Sequence, residues 1–126
     1  AGAELLLYPT AIGWDPRDDS DEQARQLEAW QTIQRGHAIA NSLPLLACNR
    51  VGHEDDPSGR TGGIRFWGHS FVAGPQGEIL SAAGEQDAVL VTRLDLSRTA
   101  ELRQQWPFFR DRRIDAYPGL LKRLCD

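Results

Sequence analysis

The 126-residue sequence has no methionine, two cysteines and three histidines, and each shortage excludes something. Cys48 sits inside an apolar run and Cys125 lies one residue from the end. Two such cysteines build no disulfide framework, and their sparse use fits a reducing, cytoplasmic setting. His37, His53 and His69 lack His-x-x-x-His spacing, so nothing local demands a metal. No apolar run approaches the length of a bilayer span, and no basic-then-apolar leader opens the chain, so no membrane is expected as a partner. The 14 basic residues are scattered among 18 acidic ones, for a net charge of −4, which argues against a nucleic-acid surface. Even the densest basic group, Arg110, Arg112 and Arg113, is interleaved with Asp111 and Asp115, a pattern that suits ion pairing. Gly59, Gly62 and Gly63 are not followed by Lys-Ser/Thr and make no phosphate loop. Without a methionine, Ala1-Gly2-Ala3-Glu4 leads straight into Leu5-Leu6-Leu7-Tyr8. That abrupt start reads as sequence from inside a longer protein: a fragment, a processed product or a truncated reading frame.

What is present is ordinary globular sequence, 40% hydrophobic and 25% charged, enough for one core. Residues 4–8 form a short apolar run closed by Pro9, which suits a strand buried on both faces. Residues 10–13 read as a tight connection and 14–21 as a polar loop, with Ser20 or Asp21 as helix cap. From Glu22 to Asn41, Leu27, Trp30, Ile33, Gln34 and His37 recur at three- and four-residue steps, with Ala38 and Ala40 beyond them, predicting a helix. Leu43 to Val51 reads as a strand, 52–63 as a loop, and Ile64 to Ala73 as a strand that turns through Gly74-Pro75-Gln76-Gly77 into a hairpin partner over 78–82. Ala88 to Leu94 is a further apolar run with strand character, followed by a helix from Arg98 to Trp106 that Pro107 ends. The order is that of an α/β fold with a mixed sheet and helices on one face. The opposite face of such a sheet is bare unless another layer covers it.

Several segments together resemble carbon–nitrogen hydrolases of the nitrilase superfamily. Residues 2–13, Gly-Ala-Glu-Leu-Leu-Leu-Tyr-Pro-Thr-Ala-Ile-Gly, are similar to the strand that follows the nucleophile-bearing helix in that family. Trp30 to Arg35 with His37 to Asn41 resembles its next helix. Asn49-Arg50-Val51-Gly52 and residues 68–75, Gly-His-Ser-Phe-Val-Ala-Gly-Pro, resemble its next strand and hairpin. Residues 106–113, Trp-Pro-Phe-Phe-Arg-Asp-Arg-Arg, with Asp115-Ala116-Tyr117, resemble the tail of the N-carbamoylputrescine amidase subgroup. The likeness runs in order along almost the whole chain.

The resemblance implies that residues 1–126 are the C-terminal part of a single hydrolase domain, half of an α-β-β-α sandwich. It implies attack by a cysteine thiolate on a carbonyl or carbamoyl carbon, with a thioester-type intermediate, a glutamate as general base and a lysine that stabilises the oxyanion. The resemblance also implies no metal and no organic cofactor, and because all three groups precede Gly2 in the family, no catalytic residue is assigned to this chain. The pocket wall does carry over: Tyr8, Pro9, Thr10 and Ala11, which in the family lie beside the nucleophile. The carboxyl ends of strands in open α/β sheets are independently common ligand sites. His53 and Glu54 are candidates for contact with the distal amine of a small amide or carbamoyl-amine substrate.

Other residues invite sharper readings. Cys48 sits mid-strand, where a small buried thiol is common core filler, rather than at a helix N-terminus or a cationic site. Ser70 lacks a Gly-x-Ser-x-Gly frame and a strand-to-helix turn, which predicts a structural serine bonded to nearby backbone. Trp106 and Phe108 read as packing residues, at a subunit interface if the chain self-associates. Two functional readings follow: part of an amidohydrolase to which this stretch gives wall and scaffold, or a catalytically inactive stand-alone module. Both require the bare sheet face to be covered, by a second copy or by the absent N-terminal half.

Overall fold

The structure, a computed structural model, describes residues 2–117. Strand β1 (Leu6–Thr10) shows the two-residue alternation of an extended chain: Leu6, Tyr8 and Thr10 are partly buried, while Leu7 and Pro9 are exposed. The expectation of a strand buried on both faces is therefore corrected. Pro9 does not end the strand either. It is accommodated because β1 lies at the sheet edge, where a missing N–H leaves no ladder bond unmade. The chain then forms the short β2 (Gly13–Trp14) in place of a simple connection.

Helix α1 (Ser20–Asn41) starts two residues earlier than its apolar periodicity indicates. Its cap is Asp19 rather than Ser20 or Asp21, with the Asp19 carboxylate accepting from the Glu22 N–H at 2.8 Å. At the other end Ser42 takes a left-handed conformation (φ 49°), and the N–H groups of Ser42 and Leu43 close the last turn onto Ile39 and Ala38. Gln34 and Ala38 are buried and Leu27 and Trp30 half-buried, whereas Ile33, His37 and Ala40 face outward. The helix thus packs a narrower stripe than its sequence suggests.

The apolar run after α1 becomes two strands, β3 (Leu45–Asn49) and β4 (Val51–Glu54). The next run is likewise divided into β5 (Ile64–Trp67) and β6 (Phe71–Ala73), followed by β7 (Ile79–Ala82). The strands form two sheets, ordered β1-β3-β6-β7 and β2-β5-β4. The first sheet is mixed: β1 and β3 are parallel, and β6 and β7 run antiparallel to β3 and to each other. Each division has the same cause. At Ala11–Ile12, at Arg50 and at 68–70 the chain leaves one sheet and enters the other. Gly68 (φ +64°) permits one crossing, because a Cβ there would lie 2.6 Å from the Gly84 carbonyl oxygen.

The core lies between α1 and the larger sheet. Ala38, Leu45, Ala47, Phe71 and Ala73 form it, with Leu6, Tyr8 and Trp30 against it. The alanines let the helix approach closely, and the aromatics fill what remains. Trp30 meets Phe71 and Trp67 edge-on, each at 5.8 Å between centroids.

Residues 88–94 form no strand. Val89 and Val91 are 90% and 92% exposed, and the Ser81 and Thr92 hydroxyls, 2.6 Å apart, tie the segment to β7 by side chains alone. An apolar run with no partner strand cannot satisfy a ladder. Helix α2 (Ser97–Gln105) follows, and the Arg103 guanidinium donates to the Asn41 carbonyl at the end of α1. The basic cluster is ion-paired as expected, Arg110 with Asp111 and Arg113 with Asp115. Trp106 and Phe108 stack on each other but remain largely exposed, lining a cleft of about 140 Å³ with Ile39, Pro75 and Leu102. Among the described residues no helix is long and apolar enough to cross a membrane. Cys125 lies outside the described residues.

Candidate functional site

The predicted wall forms the carboxyl end of β1, and strand parity divides it. Tyr8 and Thr10 point toward the helix side, where Tyr8 packs on the core and meets His37 edge-on at 6.1 Å. Pro9 and Ala11 are exposed. Only Pro9 and Ala11 therefore present side chains to the open side, while Tyr8 and Thr10 contribute backbone there.

Cys48 is the register partner of Pro9 on the neighbouring strand. It is exposed, which overturns the core-filler reading. The parity argument explains this: Leu45, Ala47 and Asn49 take the buried face of β3, leaving Leu46 and Cys48 on the uncovered one. The thiol stays on the strand, and among the described residues no hydrogen bond or ion pair reaches it to supply the activation that a helix N-terminus or a cation gives.

His53 and Glu54 lie on β4, at the far edge of the smaller sheet. Glu54 is engaged by Arg50 at 2.7 Å, and the Arg50 guanidinium also lies 4.1 Å above the Phe66 ring. The His53 imidazole Nε2 donates to the Gly62 carbonyl at 2.9 Å, and Nδ1 is 3.3 Å from Asp55. Strand β5 stands between β4 and β2, so two strand spacings, roughly 10 Å, separate this pair from the chain that continues the wall. The two candidate groups are not in one cluster.

A cleft of about 580 Å³ opens beside β2, lined by Trp14, Arg17, Arg60 and Thr61 among others, but by none of the wall residues. Asp15 on its rim is held at a pKa of about 2, chiefly by its hydrogen bonds with the Arg17 side chain. The adjoining loop is organised by Asp56, whose carboxylate accepts from the N–H and hydroxyl of both Ser58 and Thr61. Those bonds keep Asp56 well below the usual carboxylate range. Among the described residues no three His, Cys, Asp or Glu side chains converge as a metal site would need.

The residue that sequence reasoning missed is Asn49. Its Oδ1 accepts from the Ile12 N–H (2.9 Å) and the Thr10 hydroxyl (3.1 Å), and its Nδ2 donates to the carbonyls of Ile12 and Gly68 (3.0 Å each). Because the backbone partners have fixed donor and acceptor character, they decide which way the amide faces. Ser70 completes the join: its Oγ accepts from the Asn49 N–H at 3.0 Å, the structural role predicted for it. One signal was legible. In Leu45, Ala47 and Asn49 a polar residue takes the third inward position of an apolar strand, and a buried amide must find partners.

The architecture is an α/β fold with a mixed sheet, one face covered by helix and the other open, with a tied strand end beside the open face. Comparison with known proteins agrees: the Carbon-nitrogen hydrolase family model matches residues 1–104, and the chain belongs to that family, within the nitrilase superfamily. It is 46% identical over 123 residues to N-carbamoylputrescine amidase of Solanum tuberosum, spanning 95% of this chain and 40% of that protein. Over 126 residues it is 36% identical to citrullinase of Francisella tularensis, spanning 97% of this chain and 41% of that one. The crystal structure of a carbon-nitrogen hydrolase from Helicobacter pylori G27 superposes with a TM-score of 0.95 at 58% identity, covering 98% of this chain and 43% of the other. The chain thus spans about two fifths of the length of these relatives.

Proposed function

We propose that this chain is part of a cytoplasmic amidohydrolase that cleaves linear C–N bonds of N-carbamoyl amines such as N-carbamoylputrescine. It supplies pocket wall and scaffold. The likeness to N-carbamoylputrescine amidases along nearly the whole chain is the observation that carries this reading. The catalytic glutamate, lysine and cysteine come from sequence outside these 126 residues. The thiolate attacks the carbamoyl carbon, ammonia or an amine leaves, and water releases the thioester-type intermediate. The backbone of Tyr8–Ala11 and the exposed Pro9 shape the wall beside that nucleophile, and Glu54 meets the distal ammonium by sharing its carboxylate with Arg50.

The open face of the larger sheet, with Leu7, Pro9, Leu46 and Cys48, is covered in the working protein by the rest of the hydrolase domain or by a second copy. A second reading is a catalytically inactive binding or structural module derived from that family, and it rests on the resemblance, which places the family's glutamate, lysine and cysteine ahead of Gly2.

The test is ammonia release from N-carbamoylputrescine, run on the 126-residue chain and on the protein in full-length form, with intact mass measured for each. No release by the 126-residue chain and release by the full-length protein, unaffected by Cys48→Ala, is the expected result. Release by the 126-residue chain that Cys48→Ala abolishes overturns the division of labour. A full-length protein that releases nothing leaves the inactive module.

A further inference from the structure

We propose that Asn49 is the positioning residue of the substrate pocket, holding the Thr10–Ala11 end of the wall in place through one side-chain amide bonded to Thr10 and Ile12. The proposal rests on the amidohydrolase reading for its catalytic consequence, but its structural premise is independent of that reading. The chain passes directly from a strand of one sheet to a strand of the other at three places, Ala11–Ile12, Arg50 and Gly68–Ser70, and Asn49 bonds to the first and third and precedes the second. Its carboxamide acts on Ile12 as a strand's peptide would, accepting from the N–H and donating to the carbonyl. The Thr10 hydroxyl and the Gly68 carbonyl occupy the remaining sites, so the four hydrogen-bonding positions of the amide are all used.

Backbone bonds at the same seam are longer or act between other segments: Trp67 N–H to Ile12 at 3.4 Å, Arg50 N–H to Thr10 at 3.3 Å, and Gly68 N–H to Arg50 at 3.0 Å. Asn49 itself is 7% exposed, so its four bonds are shielded from bulk water. The wall leaves β1 at an edge strand, with a neighbour on one side only. Without the amide, Ala11 and Ile12 lose the tie that fixes where they stand relative to β3. Wall geometry of this kind matters steeply, because a displacement of about 1 Å in a reacting assembly costs on the order of a hundredfold.

Two variants and two readouts test the proposal. Asn49→Ala removes the amide. Thr10→Val, with little change of shape, removes a hydroxyl that lies within bonding distance of both Asn49 Oδ1 (3.1 Å) and the Cys48 carbonyl (3.3 Å), and stands in if Asn49→Ala does not fold. On the full-length protein, KM for N-carbamoylputrescine is expected to rise about tenfold or more in Asn49→Ala. It rises less in Thr10→Val, and Thr10→Ser recovers part of that loss. A residue that merely keeps the protein folded would lower the active fraction, hence apparent kcat, and leave KM unchanged; that pattern overturns the proposal. The second readout is amide hydrogen exchange on the 126-residue chain, which needs no activity. Asn49→Ala, or Thr10→Val to a smaller degree, should speed exchange at Ile12 while the amides of Leu45 and Ala47 stay protected. Unchanged protection at Ile12 overturns the proposal whatever the assay shows. If exchange responds and the wild-type full-length protein releases no ammonia, the substrate reading fails and the clamp stands.

Discussion

Two leucines on neighbouring strands offer a direct measurement of which sheet face is covered. Leu45 is fully buried in the cluster beneath α1, whereas Leu7 is 64% exposed on the opposite face. Truncating a buried leucine costs about 2–5 kcal/mol, from lost transfer energy and the cavity left behind. Complete burial of a leucine is worth about 1.5–3 kcal/mol, and Leu7 keeps only about a third of that, so Leu7→Ala should cost roughly 0.5 kcal/mol. With a urea m-value of about 1–3 kcal/mol/M, Leu45→Ala lowers the unfolding midpoint by on the order of 1 M or more, and Leu7→Ala by a few tenths. The assay is urea unfolding of both variants in the 126-residue chain at low concentration, followed by tryptophan fluorescence. Equal midpoint shifts would refute the face assignment. Repeated on the full-length protein, the Leu7→Ala penalty should climb to about 2 kcal/mol as its face becomes interior. A penalty that stays near zero there would show that nothing covers this face.

Three further outcomes follow from local geometry. Asp19→Ala removes the cap of α1 and should cost about 1 kcal/mol, read as a lowered thermal midpoint by circular dichroism. Gly13→Ala drives a Cβ into the Arg65 carbonyl and to 2.8 Å from the Phe66 Cα, so β2 must part from β5; the expected loss is about 1–3 kcal/mol by urea unfolding. Asp56 has a depressed folded-state pKa, so its contribution to loop order is full at neutral pH and is lost only as pH falls through that low value. In an NMR titration it should stay ionised after exposed carboxylates have taken up protons, and titration alongside them would disprove the Ser58–Thr61 network.

The fold class and the two helices were legible because periodicity survives in a single sequence. Helix α1 and the turn before β7 announce themselves by spacing and by glycine and proline. The second sheet was not legible. Residues 43–51 and 64–73 each read as one strand and 52–63 as a loop, although β4 takes Val51–Glu54, since alternation says that a residue is extended but not which strand it pairs with. The crossings at Arg50 and Gly68 are tertiary facts, set by hydrogen bonds between residues up to 39 positions apart. Residues 88–94 err in the opposite sense, with strand composition and no partner strand in the described structure. Tyr8–Ala11 could be located through resemblance, but their division between faces needed the register with β3.

Parity also bears on why Cys48 is accessible without being equipped for catalysis. It shares the open face with Pro9, its register partner, and so stands beside the wall where a family nucleophile is expected. Yet none of the hydrogen bonds among the described residues involves its sulfur, and the nearest basic residue in sequence, Arg50, is committed to Glu54 and the Phe66 ring. A thiol becomes nucleophilic when its anion is stabilised, by a helix N-terminus, a cation or a base, and exposure supplies none of these. The same sheet face can therefore hold a pocket wall on β1 and an idle cysteine on β3. Exposure and activation are thus separate properties of this face: the register with Pro9 supplies the first, and no hydrogen bond or ion pair among the described residues supplies the second.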